Sequence, residues 1–210
     1  DVGMSTAWLA KSFKLESVEG RRFFLQMDNA VAAARVFVNG NDFGAYVGSW
    51  APVRVDVTKA VKKGDNWLQL GMRTNGGKGS LCPPPWGPGI LPWSCFFDSH
   101  GLKSIGLWQR IQIEALPELH ISDVFVKPSV ENMTLGVRVE LTNGGSKDKN
   151  GELMLAACLE DPPGSKMPGR IAHEFPAKPF SIKAGEKIKI EIAEKWADAE
   201  LWWPHKPALY

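Results

Sequence analysis

The chain has 210 residues, of which 44% are hydrophobic and 23% charged, and its formal net charge is +2. No stretch approaches the ~18 consecutive apolar residues of a membrane-spanning helix, so no membrane association is predicted. The scattered basic residues argue against nucleic-acid binding, and the cysteine and histidine spacing argues against a metal site or cofactor.

Short strands separated by turns begin near the start of the chain. TAWLAKSFKL and RRFFLQM (21–27) are predicted as the first two strands, on their alternating pattern. The next strand runs into Asn39-Gly40, a strong hairpin signal because both central residues of a type I′ turn need positive φ. We therefore expect Val36 and Phe43 to lie on paired strands.

The following segment, PVRVDV (52–57), places its three valines on one face and Arg54 and Asp56 on the other. A single helical turn is predicted to begin at Thr58, with Thr58 or Asp56 as its N-cap, and to end at Gly64 in the left-handed region. The strand WLQLGMR comes next. Because no long helical pattern occurs, the predicted class is all-β.

Residues 74–106 interrupt this rhythm with a segment rich in glycine and proline. The segment is far longer than the usual connection of ~4–6 residues, which is typical of a functional loop. A strand is predicted at 107–116, and Pro117 marks a plausible domain boundary.

Five more strands are predicted after this boundary, within LHISDVFVKP, TLGVRVELTN, ELMLAACLE, FSIKAG and EKIKIEIAE. Their spacing fits an immunoglobulin-like sandwich, but a complete one has about seven strands. We therefore expect the second domain to be incomplete in this chain. Trp203 and Tyr210 are expected to pack in its core.

Four stretches together resemble the N-terminal regions of glycoside hydrolase family 2, the group of β-galactosidases, β-glucuronidases and β-mannosidases. In chain order they are RVFVNGNDFG, GSWAPVRVDVTKAVKKGDNWLQL, SIGLWQRIQIE and LWWPHKPALY. The resemblance implies a galactose-binding-like jelly-roll sandwich over residues 1–116. It implies an incomplete immunoglobulin-like β-sandwich over residues 117–210, and a longer parent chain that continues into a catalytic (β/α)₈ barrel.

Retaining glycosidases act through two carboxyl groups ~5–5.5 Å apart. The resemblance implies that both are glutamates of the barrel, so no catalytic residue is expected in these 210 residues. Their implied role is to position the barrel of an O-glycosyl hydrolase and to shape its substrate cleft. Carbohydrate and the barrel of the same parent chain are the expected partners; homo-oligomerisation and compartment are left open.

The long loop holds the candidate substrate-binding residues, because in some relatives it reaches the active site of the barrel. The resemblance implies that Asp98 and His100 hydrogen-bond to sugar hydroxyls and that Trp86 or Trp93 stacks on a sugar ring. The alternative is that both tryptophans pin the loop to the sandwich and that Asp98 makes a turn before Gly101.

A competing function is a stand-alone carbohydrate-binding module, which the nine tryptophans would also suit. An open row of exposed tryptophans would favour the module, whereas tryptophans buried in the cores would not.

Overall fold

The structure is a computed structural model, which describes residues 6–28, 30–31, 33–47, 52–73, 106–107, 109–161 and 168–210. These ranges contain strands and turns and no helix, so the all-β prediction is confirmed. No helix in the described part of the chain is therefore long and apolar enough to cross a membrane. The chain divides into two compact units, Asp1–Pro117 and Glu118–Tyr210.

The described residues of the first unit form nine strands. They are β1 (Thr6–Leu15), β2 (Arg21–Met27), β3 (Ala30–Val31), β4 (Ala33–Val38), β5 (Asn41–Val47), β6 (Val53–Asp56), β7 (Gly64–Arg73), β8 (Gly106–Leu107) and β9 (Ile111–Pro117). All pairings are antiparallel, in the sheets β1-β7-β4-β5, β6-β2-β9 and β3-β8.

The core of the first unit takes alternate side chains from the four-stranded and the three-stranded sheet, as in a sandwich. In β2 every second residue is buried, and β4 and β7 follow the same period. The buried residues are Phe23, Leu25, Met27, Ala34, Val36, Val38, Val55, Val57, Leu70 and Met72.

The predicted hairpin is confirmed at Asn39-Gly40. Both residues have positive φ, 50° and 79°, and Val38 pairs with Asn41 across the turn. Val36 and Phe43 lie on the two paired strands.

The turn after β6 also forms where the sequence predicted it. The amides of Ala60 and Val61 donate to the carbonyl of Val57, and Gly64 leaves the turn with φ of 89°. Of the two candidate caps, Asp56 makes the hydrogen bond to the backbone: its Oδ1 accepts the N–H of Thr58 at 3.0 Å.

The single strand predicted at 107–116 is wrong in one respect, because the structure divides it into β8 and β9. Leu107 pairs with Ala30 in one sheet, whereas Ile111 pairs with Met27 in another. The strand opposite is divided at the same level, since β2 ends at Met27 and β3 begins at Ala30, so the pairing changes from one sheet to the other here.

In the second unit, the parts of the chain that the structure describes form seven strands. They are β10 (Leu119–Ser129), β11 (Thr134–Asn143), β12 (Lys149–Leu153), β13 (Ala156–Glu160), β14 (Pro168–Glu174), β15 (Lys178–Ile182) and β16 (Lys187–Lys195). The sheets are β10-β11-β16, β12-β15 and β13-β14, all antiparallel. Their core consists of Val137, Val139, Leu141, Leu153, Phe175, Ile182 and Ile192.

The prediction of five strands here is therefore wrong by two, and the strand count no longer supports the expectation of an incomplete sandwich. ELMLAACLE forms two strands, because β12 pairs with β15 and β13 pairs with β14. The chain bends between them at Met154, whose side chain is 80% exposed. The sequence of β14, PGRIAHE, is poor in residues that favour strands, and its pairing with β13 is what orders it.

The aromatic residues at the end of the chain differ from the expected core packing. Trp203 is 54% exposed and Tyr210 is 46% exposed. Among the described tryptophans of this unit Trp196 is the buried one, and its ring stacks on His173 and meets the ring of Tyr210 edge-on, with centroids 4.9 and 4.8 Å away. The Tyr210 hydroxyl accepts a hydrogen bond from the Glu200 backbone amide at 3.0 Å. Tyr210 therefore packs against Trp196 from the surface of the unit and not from within its core.

Candidate functional site

The four predicted substrate-binding residues, Asp98, His100, Trp93 and Trp86, fall within 74–105. They lie outside the residues that the structure describes. Their role therefore stays a prediction. The described residues on either side of the segment show where on the first unit it begins and ends.

Both flanks of this segment are anchored on one short stretch of the first unit. Arg73, at the end of β7, pairs with Ala33, and Gly106, at the start of β8, pairs with Val31. The described chain thus leaves and re-enters the sandwich beside residues 30–33, at one place on the fold.

A polar cluster lies close to this place. Asp28 follows β2, and its carboxylate accepts the Gln26 amide at 2.9 Å and the Nε of Arg110 at 3.4 Å. The Asp28 amide also donates to the Arg110 carbonyl at 3.0 Å. Because this carboxylate is engaged by two donors, its evident use is to join β2 to the start of β9.

The other ion pairs of the first unit use carboxylates in the same way. Among the described residues these are Arg22 with Asp56, Arg35 with Asp42, and Arg54 with Glu114. Each carboxylate is held by a guanidinium, which differs from the two facing carboxyl groups of a retaining glycosidase. In the described part of the chain, no group of three or more His, Cys, Asp or Glu side chains is placed to hold a metal ion.

An exposed aromatic surface lies on the outer face of the four-stranded sheet. We call it the Trp8 face and define it by Trp8, Arg35, Phe37, Asp42, Trp67 and Gln69. Trp8 is 68% exposed and Trp67 is 55% exposed. The register places Trp8 beside Gly71 and Gly71 beside Arg35, while Gln69 lies beside Phe37.

The aromatic part of this face has a defined geometry. The rings of Trp8 and Phe37 lie with centroids 5.8 Å apart and planes tilted by 40°. A Cβ built on Gly71 would lie 3.1, 3.2 and 3.4 Å from three consecutive ring atoms of Trp8. Such similar distances mean that the ring turns its face, and not its edge, toward Gly71.

The polar part of the face is held by a forked ion pair. The Nε of Arg35 donates to Oδ2 of Asp42 at 3.1 Å, and the Gly44 amide donates to Oδ1 at 2.9 Å. The hydrogen bond from Arg35, followed by that from Gly44, lowers the pKa of the Asp42 carboxyl, and the same pair raises the pKa of Arg35. Arg35 also lies 5.7 Å from the centroid of Phe37.

The sequence analysis did not select the Trp8 face, although a signal for it was present. Trp8 alternates with Phe13 and Leu15 in β1, so it falls on the face opposite the core. Trp67 likewise stands at an odd position of β7, whereas the buried Leu70 and Met72 are even. What a single strand does not reveal is that pairing brings Phe37 beside Trp8.

Comparisons with known proteins agree with the resemblance. No family model matches the chain. It is 23% identical over 150 residues to a β-galactosidase of Thermoanaerobacter pseudethanolicus, covering 70% of this chain and 19% of that protein. It is 22% identical over 219 aligned residues to a β-glucuronidase of Formosa agariphila, covering 98% of this chain and 21% of that protein.

A solved structure, a β-glucuronidase from glycoside hydrolase family 2, has the same fold over 95% of this chain. The TM-score is 0.78, the sequence identity is 19%, and 21% of that chain is covered. The chain is a relative of glycoside hydrolase family 2. This family 2 relative spans about a fifth of the length of the proteins that it matches, which are larger glycosidases.

Proposed function

We propose that these two β units are the non-catalytic N-terminal portion of a glycoside hydrolase that cleaves O-glycosyl bonds in the manner of a β-galactosidase. In this proposal the first unit is the galactose-binding-like jelly roll and the second is the immunoglobulin-like sandwich. They position a catalytic barrel of the same polypeptide and shape its substrate cleft.

The observation that carries the proposal is the extent of the matches. They cover nearly all of this chain, 98% and 95%, but only 21% of a β-glucuronidase in each case. The carboxylates in the ion pairs of the first unit are bound to arginines, which supports a structural role for these residues.

The intact mass and the activity of the native polypeptide that contains these 210 residues test the proposal. We expect a mass of about four to five times the 23.1 kDa of this chain, because the two relatives are about four and five times as long. We expect this polypeptide to hydrolyse 4-nitrophenyl β-galactoside or β-glucuronide, and residues 1–210 alone to hydrolyse neither. A native polypeptide of 23.1 kDa without glycosidase activity would overturn the proposal.

We further propose that Asp98, His100, Trp86 and Trp93 contribute to substrate binding in that polypeptide. Their alanine variants are then expected to raise KM for the hydrolysed glycoside, and Trp203→Ala, at an exposed position of the second unit, serves as the matched control. Unchanged KM in all four variants would favour the alternative, a loop that is pinned to the sandwich.

The alternative function, a carbohydrate-binding module, is favoured by one specific observation. Trp8 and Trp67 are exposed on the same sheet face, as such a module would require, whereas Trp196 is buried in the second unit. Carbohydrate binding by this face does not depend on a catalytic domain, and it is developed below as a separate proposal.

A further inference from the structure

We propose that the Trp8 face binds a neutral, β-linked oligosaccharide, with one pyranose stacked on the ring of Trp8. The proposal concerns a surface of the first unit alone and does not rest on glycosidase activity. Trp8 supplies an apolar platform, and Arg35 and Gln69 supply hydrogen-bonding groups beside it, with Asp42 holding Arg35 in place.

The platform is formed by the absence of a side chain at Gly71. Because the ring of Trp8 lies face-on over this glycine, its opposite face is turned away from the sheet, in agreement with its 68% exposure. A Cβ at position 71 would require the ring to shift by a few tenths of an ångström, since it would stand 3.1 Å from it, and a longer side chain would take the place of the ring. Phe37, tilted by 40° beside it, limits the movement of the ring on one side.

The polar groups on this face are ordered before any ligand arrives. Asp42 is fixed by the fork of Arg35 and by the Gly44 amide, at 3.1 and 2.9 Å. The guanidinium retains N–H donors for hydroxyl groups, whereas each carboxylate oxygen already accepts two hydrogen bonds, from Arg35 and from Gly44 or Arg35 again. Because the two charges compensate each other, the pair favours a neutral ligand over a charged one.

The composition of the face favours a sugar over a protein partner. The cores of protein interfaces are depleted in charged residues, whereas here the charged pair of Arg35 and Asp42 lies directly beside Phe37. Sugar sites combine an apolar platform with a few placed polar groups, which is the combination that this sheet presents.

The spacing of the two tryptophans indicates an oligosaccharide rather than a single sugar. Trp8 of β1 pairs with Gly71 of β7, and Trp67 lies on β7, four residues from Gly71. This separation is about 13 Å at ~3.3 Å per residue. A ligand that reaches both rings therefore contains several pyranose units.

The stereochemistry of the ligand follows from the flat platform. A pyranose whose substituents are all equatorial directs its axial C–H bonds at the ring, and its hydroxyl groups reach outward to the polar side chains. Cellohexaose, xylohexaose and chitohexaose, which are β-1,4-linked and uncharged, are therefore the probes of choice.

Isothermal titration of residues 1–210 with each of the three hexaoses tests the site. We expect at least one to bind, and Trp8→Ala to weaken that binding about tenfold, the loss of one stacking contact. Trp67→Ala is expected to weaken the hexaose more than the corresponding disaccharide. Trp203→Ala, which is similarly exposed but lies in the second unit, is the control and should bind as the parent chain does.

Circular dichroism and urea unfolding should be the same for the Trp8→Ala variant and the parent chain, because the Trp8 side chain is largely exposed. Should Trp8→Ala unfold, Gly71→Leu, whose side chain extends beyond the Cβ into the space of the Trp8 ring, provides the second measurement. Failure of all three sugars to bind, or equal affinity in the Trp8 and Trp203 variants, would overturn the proposal. So would self-association that Trp8→Ala abolishes in the absence of sugar binding, since the face would then be a protein interface.

Discussion

The side-chain amide of Asn39 donates to Oδ1 of Asn66 at 2.7 Å and ties the β4–β5 hairpin to the start of β7. Asn66 is fully buried, and its own amide donates to the carbonyls of Lys62 and Gly64 at 2.8 and 2.9 Å. Its Oδ1 also accepts the Lys62 amide at 2.9 Å. The hydrogen-bonding groups of one buried side chain thus hold two turns together.

Replacing Asn66 by alanine is expected to destabilise the first unit by about 2 kcal/mol, because the Asn39 amide and three partly buried backbone groups of Lys62 and Gly64 lose their partner. The midpoint of urea unfolding should fall while the dependence on urea stays the same. Asp65→Ala, at an exposed neighbouring position, is the control and should have little effect. Equal midpoints for the two variants would show that water replaces the Asn66 amide.

The stability of the first unit is expected to fall in acid because of Asp56. Burial acts to raise the pKa of this carboxyl, but hydrogen bonds from the Thr58 hydroxyl and amide, together with Arg22, outweigh it and lower the pKa. Because the pKa is lower in the folded state, the ionised carboxyl stabilises the fold at pH values above its pKa in the unfolded chain, about 3.9. That contribution is lost as the pH falls through the lower, folded value.

The measurement is urea unfolding of the parent chain and of Asp56→Asn between pH 7 and pH 3. The variant should be less stable at pH 7, and the difference should shrink toward pH 3. Asp65→Asn serves as the control for the loss of one exposed charge. A difference between the parent chain and Asp56→Asn that stays constant with pH would contradict the assignment.

Gly64 is expected to tolerate asparagine better than alanine. Its φ is 89°, and a Cβ at this position would meet nothing within 4 Å, so the cost is confined to the backbone. Gly64→Ala should destabilise the first unit by about 1–2 kcal/mol, and Gly64→Asn by less, because asparagine tolerates left-handed conformations. Thermal unfolding of both variants gives the comparison, and equal melting temperatures would point to a shift of the turn.

Trp196 is expected to be the most sensitive aromatic residue of the second unit. It is 7% exposed, stacks on His173, and donates its backbone amide to Met133 at 2.8 Å. Trp196→Ala should cost about 3–5 kcal/mol and reduce the hydrogen-exchange protection of β11 and β16. Trp202→Ala, at a position that is 55% exposed, should change stability by less than about 0.5 kcal/mol.

Much of the first unit was accessible from the sequence because its signals are local. The positive φ that Asn39-Gly40 favours, the alternation of 52–57 and the glycine that ends the next turn each depend on a few neighbouring residues. The predicted loop residues Asp98 and His100 remain predictions, since they rest on the resemblance alone.

By itself the sequence determined the all-β class, the hairpin, the capped turn and the relationship to glycoside hydrolase family 2. Only the tertiary structure decided that ELMLAACLE forms two strands, that β14 exists and that Phe37 stands beside Trp8. The physical reason is that alternation reveals the two faces of a strand but not the neighbours of either face. Those neighbours are selected by pairing between residues far apart in the chain, and the Trp8 face is a product of that pairing.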